Sequence, residues 1–158
     1  MKIFSTTLGG YVETLKWGVL ALFVVGLLRF LMAPVGIPIG VGGKATSITL
    51  VLLAAIVVYA VRYALAAGTV ADVVVSTLAL ALAYAGVIAL FLSLSVGMGV
   101  ETYYTDPGHF QGSLGAHVLA HLQVTPFATL IGSVIGGIAF GLTRLVSFLK
   151  RRSDPASS

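Results

Sequence analysis

The residues whose types and spacing suit chemistry are three histidines, His109, His117 and His121, all within residues 100–124. His117 and His121 stand four apart. On a helix that spacing puts both imidazoles on one face, a common arrangement for two metal ligands. The Asp106-Pro107-Gly108 turn precedes His109 and can fold it back toward the pair, and Glu101 or Asp106 would supply oxygen ligands. No cofactor is expected from the sequence; the set is a candidate site for a transition metal such as zinc, and no other cofactor is implied. It lacks the HExxH glutamate, so the general base of a metalloprotease is missing. Two histidines on one helix face cannot hold a haem iron from opposite sides, which leaves only His109 as a partner for either. The competing readings are a protonation-sensitive role and plain hydrogen bonds to headgroups or neighbouring loops.

Other motifs fail on context. The run Gly40-Val41-Gly42-Gly43-Lys44-Ala45 fits a relaxed dinucleotide fingerprint, but a proline-rich turn precedes it where a strand is required. Ala45 stands where a phosphate-binding Walker loop needs Ser or Thr. Ser113, His117 and Asp106 have no nucleophile elbow around them. The chain has no cysteine, which excludes disulfides, thiolate metal sites and cysteine nucleophiles. No catalytic residue is predicted, and the chain reads as a non-enzyme.

The elements that must position the histidines follow from composition. Of 158 residues, 58% are hydrophobic and only 9% are charged, and the mean hydropathy is +1.08. Soluble domains carry about 25% charged residues, so a water-soluble globule and a disordered chain are both excluded. The basic residues form no stripe, and only Lys150, Arg151 and Arg152 make a run. That run suits anionic headgroups rather than nucleic acid. The expected fold is all-α: a polytopic four-transmembrane-helix bundle in a single domain over residues 1–152, followed by a disordered polar tail, 153–158. About 20 apolar residues are needed to cross the hydrocarbon. The gaps between charges place spans at about 14–33, 47–67, 70–97 and 126–149. A short outward-facing interfacial helix is expected at about 113–122, between spans three and four, with Ser113 as its cap.

Terminal chemistry supports these limits. Thr69-Val70-Ala71-Asp72 has the form of a capping box for span three. Thr125-Pro126 reads as a start for span four, and Gly68 as the stop of span two. The short link makes spans two and three antiparallel neighbours. Arg29 interrupts the apolar run after Lys2 and Lys16, and no clean cleavage site follows, so the first span reads as an uncleaved signal-anchor. Lys2, Lys16, Arg62, Arg144, Lys150, Arg151 and Arg152, seven of the nine basic residues, share one side; Arg29 and Lys44 fall on the other. The positive-inside rule then puts both termini in the cytoplasm, in a membrane of the bacterial inner (plasma) type.

Close backbone approach organises helices in lipid. Gly132 and Gly136 form one small-residue ridge; Ser133, Gly137 and Gly141 form a second. Ala81, Ala85 and Ala89 in span three have matching spacing, so spans three and four are expected to cross along these faces. Tyr59 and Tyr84 need partners at mid-span, each other or a backbone carbonyl. Arg29 is expected to pair with Glu101 or Asp106, or else to reach the headgroups. Arg62 and Asp72 flank the tight link and form a second expected pair.

Three functions suit these features. The favoured one is a non-catalytic structural or accessory subunit of a membrane complex. Its partners would be the bilayer and either further copies of itself or a larger membrane assembly, with no nucleic acid. The second is a small oligomeric channel or transporter, disfavoured for proton-coupled transport because no carboxylate lies mid-span. The third is a metal-binding membrane protein built on the histidine segment.

Overall fold

The structure is a computed structural model and describes residues 7–38, 47–106 and 112–153. Lys2, the 40–45 glycine run, Lys44, His109 and the tail after Ser153 lie outside the described residues. The described residues form four helices: α1 (Leu8–Met32), α2 (Ile48–Leu65), α3 (Val70–Met98) and α4 (Leu114–Ser153). All four are long and apolar enough to cross a membrane.

Each helix is built by local signals. Thr7 starts α1, its hydroxyl accepting the Gly10 N–H at 3.3 Å. The helix therefore begins six residues before the expected span, because a cap and not the onset of apolar sequence fixes its start. Ser47 starts α2 by accepting the Leu50 N–H at 3.4 Å. The expected capping box of α3 is present in full: Thr69 Oγ1 accepts the Asp72 N–H, and Asp72 Oδ2 accepts the Thr69 N–H at 2.7 Å. Gly99 ends α3 in the left-handed region at φ 64°, and the Val100 N–H closes the turn on the Ser95 carbonyl.

The stop of α2 differs in detail from expectation. The left-handed residue is Ala67, at φ 58°, and not Gly68. Gly68 follows it and donates its N–H to the Tyr63 carbonyl at 2.7 Å, which is the six-to-one bond of a Schellman ending. A Cβ on Gly68 would lie 3.0 Å from both Cβ and O of Tyr63. The glycine is thus needed for room, and the alanine before it takes the unfavourable torsion.

The larger correction concerns α4. Separate helices at 113–122 and 126–149 were expected; instead one helix of 40 residues runs through Pro126. At about 1.5 Å per residue it is roughly 60 Å long, about twice the hydrocarbon thickness. Ser113 caps it, accepting the Ala116 N–H at 3.3 Å. Pro126 has no N–H to give back along the helix. Threonines flank that gap: Thr125 Oγ1 donates to the His121 carbonyl at 3.3 Å and Thr129 Oγ1 to the Thr125 carbonyl at 2.9 Å. Hydroxyl back-bonding of this kind lets an apolar helix carry a proline.

The helices α2 and α3 touch along their length, made antiparallel by the short link at residues 66–69. Both α1 and α4 pack against each of them. The core between them holds Leu22, Ile56, Leu80 and Leu92, all essentially without solvent access. Two glycines let α1 in. A Cβ on Gly18 would meet the Tyr59 ring at 2.9 Å, and one on Gly26 would overlap Val87 and reach Phe91 at 3.0 Å. With Leu22 midway, these glycines sit eight residues apart along one buried line.

Candidate functional site

The polar side chains gather at the two ends of the helices and on the first turns of α4. One end holds Asp72, which is fully buried. Its carboxylate accepts from the Tyr11 hydroxyl of α1, the Thr69 N–H and the Thr69 hydroxyl. Beside it Tyr63 Oη accepts from Ser76 Oγ at 2.9 Å, with the Tyr11 and Tyr63 rings 6.3 Å apart. The carboxylate complements the positive end of α3 and ties α1 to it. Arg62, the partner expected for Asp72, is exposed and lines a cavity with Glu13, Lys16 and Trp17. Arg144 of α4 donates from Nη2 to the Gly68 carbonyl at 3.0 Å, clasping the link between α2 and α3.

At the opposite end the segment after α3 tucks inward. Thr102 is fully buried, its hydroxyl 2.8 Å from that of Ser95. Tyr104 stacks on Phe91 and donates its hydroxyl to the Gly26 carbonyl at 3.2 Å. Burial pushes the Tyr104 phenol up to about 12, the nearby Arg29 charge opposing the shift. Arg29 is itself only 8% exposed, its guanidinium carbon 3.8 Å from the centre of the Tyr103 ring. The cation thus lies against an aromatic face, a contact that composition does not announce. Glu101 is exposed and Asp106 half-buried.

On α4, His117 and His121 are half-buried and share a face, with Nε2 atoms 3.3 Å apart and ring centroids 5.0 Å apart. Leu114 and Val118 of the same stretch pack on the core, while Leu122 points out. Among the described residues no group of three or more His, Asp or Glu side chains is gathered to hold a metal ion.

The small residues of α4 divide between two surroundings. A Cβ on Gly132 would lie 2.7 Å from Thr77 and 2.8 Å from Ile56; one on Gly136 would lie 2.8 Å from Val73. This ridge seats α4 in the groove between α2 and α3, at Val73 and Thr77. Ala81 and Ala85 are buried further along α3, and Ala89 is half-buried. The other ridge faces away: nothing lies within 4 Å of a Cβ on Gly137 or Gly141. Ser133 Oγ is buried with no hydrogen-bond partner. Tyr59 accepts the Gly18 N–H at 3.0 Å, and Tyr84 pairs with Thr49 at 3.4 Å. Gly18 and Gly26, two small residues eight apart in α1, were there to be read, yet only the ridges of α4 and the alanines of α3 stood out in the sequence.

Comparison with protein-family models, curated proteins and solved structures finds no match. The class therefore rests on the chain's own features: an all-helical protein with four helices fit to span a membrane, and hence a membrane protein.

Proposed function

We propose that this chain is a non-catalytic structural or accessory subunit of a membrane complex, with both termini cytoplasmic in a plasma-type membrane. The observation that carries the reading is the outer face of α4. Only 17% of its most apolar stretch is buried, and Ile131, Val134, Ile138 and Leu142 stand exposed beside the open Gly137 and Gly141. Small and apolar residues together are what close helix packing in lipid uses. The buried polar groups at both helix ends, Asp72, Ser76, Thr102 and Tyr104 among them, are meanwhile spent within the fold, on caps and interhelical bonds. The orientation rests on the basic residues, six of which (Lys16, Arg62, Arg144, Lys150, Arg151 and Arg152) fall in the described residues at the end of the helices that carries Asp72.

The test is a photo-crosslinking residue at Ile138 or Leu142, compared with one at Val58 on the exposed face of α2, in native membranes. A single protein adduct of defined mass from the α4 positions alone is expected. Lipid adducts only, from every position, together with a monodisperse monomer in mild detergent, would overturn the subunit reading.

A second reading has one specific observation in its favour. Two nitrogens each about 2.0–2.1 Å from a tetrahedral zinc stand about 3.3 Å apart, and the Nε2 atoms of His117 and His121 have that spacing. The pair is suited to hold two positions of a transition-metal shell, with Glu101, Asp106 and His109 as the further ligands drawn from the same segment.

A further inference from the structure

We infer that the cavity between the first turns of α1 and the last turn of α2 is a binding site for the headgroup of an anionic phospholipid. The inference rests on the membrane reading above. The cavity measures about 510 Å³ and is lined by Glu13, Lys16, Trp17, Arg62, Tyr63 and Gly68 among others. Two basic side chains face one acidic one, and Arg144 adds a third cation at the rim through its bond to Gly68. Lys16 is held by Glu13 in an exposed ion pair and lies 5.6 Å from the centre of the Trp17 ring. Exposed pairs of this kind are weak, so a phosphodiester can replace the Glu13 carboxylate on Lys16. Arg62 is exposed on the other wall, and its planar fork suits two phosphate oxygens.

The occupant must also have an apolar part. Past Lys16 a second groove of about 620 Å³ runs along the other flank of α1, lined by Val12, Val19, Leu20, Phe23 and Val75 among others. Lys16 belongs to both cavities. A headgroup at Lys16 and Arg62 therefore leaves its acyl chain a bed along α1, which a free phosphate would not use. Trp17, 63% exposed at this level, is the kind of side chain that sits at headgroup depth. Basic pockets between membrane helices on the cytoplasmic side are suited to such headgroups.

Trp17 is the chain's single tryptophan and so reports on this cavity alone. The full chain is reconstituted into phosphatidylcholine vesicles containing phosphatidylglycerol, with brominated chains on one lipid or the other at equal mole fraction. Selective binding gives stronger quenching by brominated phosphatidylglycerol, with a preference of roughly fivefold for each basic group engaged. The preference should fall toward unity in Lys16→Gln/Arg62→Gln, persist in part in Arg62→Lys, and survive millimolar inorganic phosphate. Equal quenching by the two lipids, or a preference undiminished in the double variant, overturns the proposal. Loss of the preference on adding inorganic phosphate overturns it in favour of a free-anion site. No quenching by either lipid is a separate result: it removes Trp17 from the bilayer and overturns the membrane reading with it.

Discussion

The Tyr11 hydroxyl of α1 donates to the buried carboxylate of Asp72 at the start of α3. The two residues are 61 apart in sequence, so this bond fixes how the first helix docks on a helix whose own cap already uses the other carboxylate oxygen. A buried acceptor that loses its donor keeps its desolvation cost, about 1–3 kcal/mol. Tyr11→Phe is therefore expected to lower unfolding stability in detergent micelles by that amount while leaving helix content unchanged. Asp72→Ala, which removes the cap as well, should cost more. Equal stabilities of wild type and Tyr11→Phe by denaturant titration would contradict this role.

Ala67 supplies a second prediction, of opposite sign. Left-handed torsions cost a non-glycine residue about 1–2 kcal/mol, and glycine loses about 0.5–1 kcal/mol in chain entropy. Ala67→Gly should therefore raise stability by up to about 1.5 kcal/mol. Gly68→Ala should lower it, because its Cβ has no room beside Tyr63. The pair is checked by thermal unfolding of both variants side by side. A destabilised Ala67→Gly would mean that the link is not held in this torsion.

The two ridges of α4 separate packing inside the chain from packing outside it. Gly132→Ala and Gly136→Ala force a methyl group against Thr77, Ile56 and Val73, and overpacking of that kind costs about 1–3 kcal/mol. Gly137→Ala and Gly141→Ala meet nothing within the chain. They should not lower the stability of the purified protein and should raise it by about 0.5–1 kcal/mol, the helical advantage of alanine over glycine. Any loss they cause should appear only as weaker crosslinking from Ile138, if the open face meets a partner as proposed.

What the sequence disclosed, and what it did not, follows from how local each feature is. The Thr69–Asp72 box was legible because a cap is a contact between residues three apart. The break expected at Thr125-Pro126 was wrong because the same two residues that start a helix also fit inside one when hydroxyls flank the missing N–H. Ala67 was invisible: nothing in Ala66-Ala67-Gly68 says which residue takes the positive torsion. The histidine pair was legible from spacing alone, which placed His117 and His121 on one face. A third ligand was not: among the described residues no further His, Asp or Glu is gathered with the pair. Arg29 on Tyr103 joins residues far apart in sequence, and only the return of the segment after α3 into the helices brings them together.

The histidine pair is testable apart from the fold. Its Nε2 spacing predicts that the protein binds one zinc ion per chain in calorimetric titration. Loss of either ligand in His117→Ala or His121→Ala should weaken binding tenfold or more, since even groups behind the ligands carry 10–100-fold effects. Thermal stability without metal should be nearly unchanged, because both rings are only half-buried. Binding unaltered in both variants would place the metal elsewhere.

Tyr104 gives the last prediction, and its sign follows from linkage. Its phenol ordinarily titrates near 10 and burial pushes it up to about 12 in the folded protein. The folded state therefore favours the neutral form, which also donates to the Gly26 carbonyl. The stabilisation is fully present below pH 10 and is lost as the pH rises through 12, about 2–3 kcal/mol in all for a shift of that size. In Tyr104→Phe this step should vanish, so the stability difference between wild type and variant should shrink steadily between pH 10 and 12. The same variant identifies the residue by absorbance near 295 nm, where the phenolate that forms near pH 12 in the wild type should be missing. A difference in stability that stays constant across that range would mean that Tyr104 ionises as readily in the folded chain as in the unfolded one, and that the segment after α3 does not shield it.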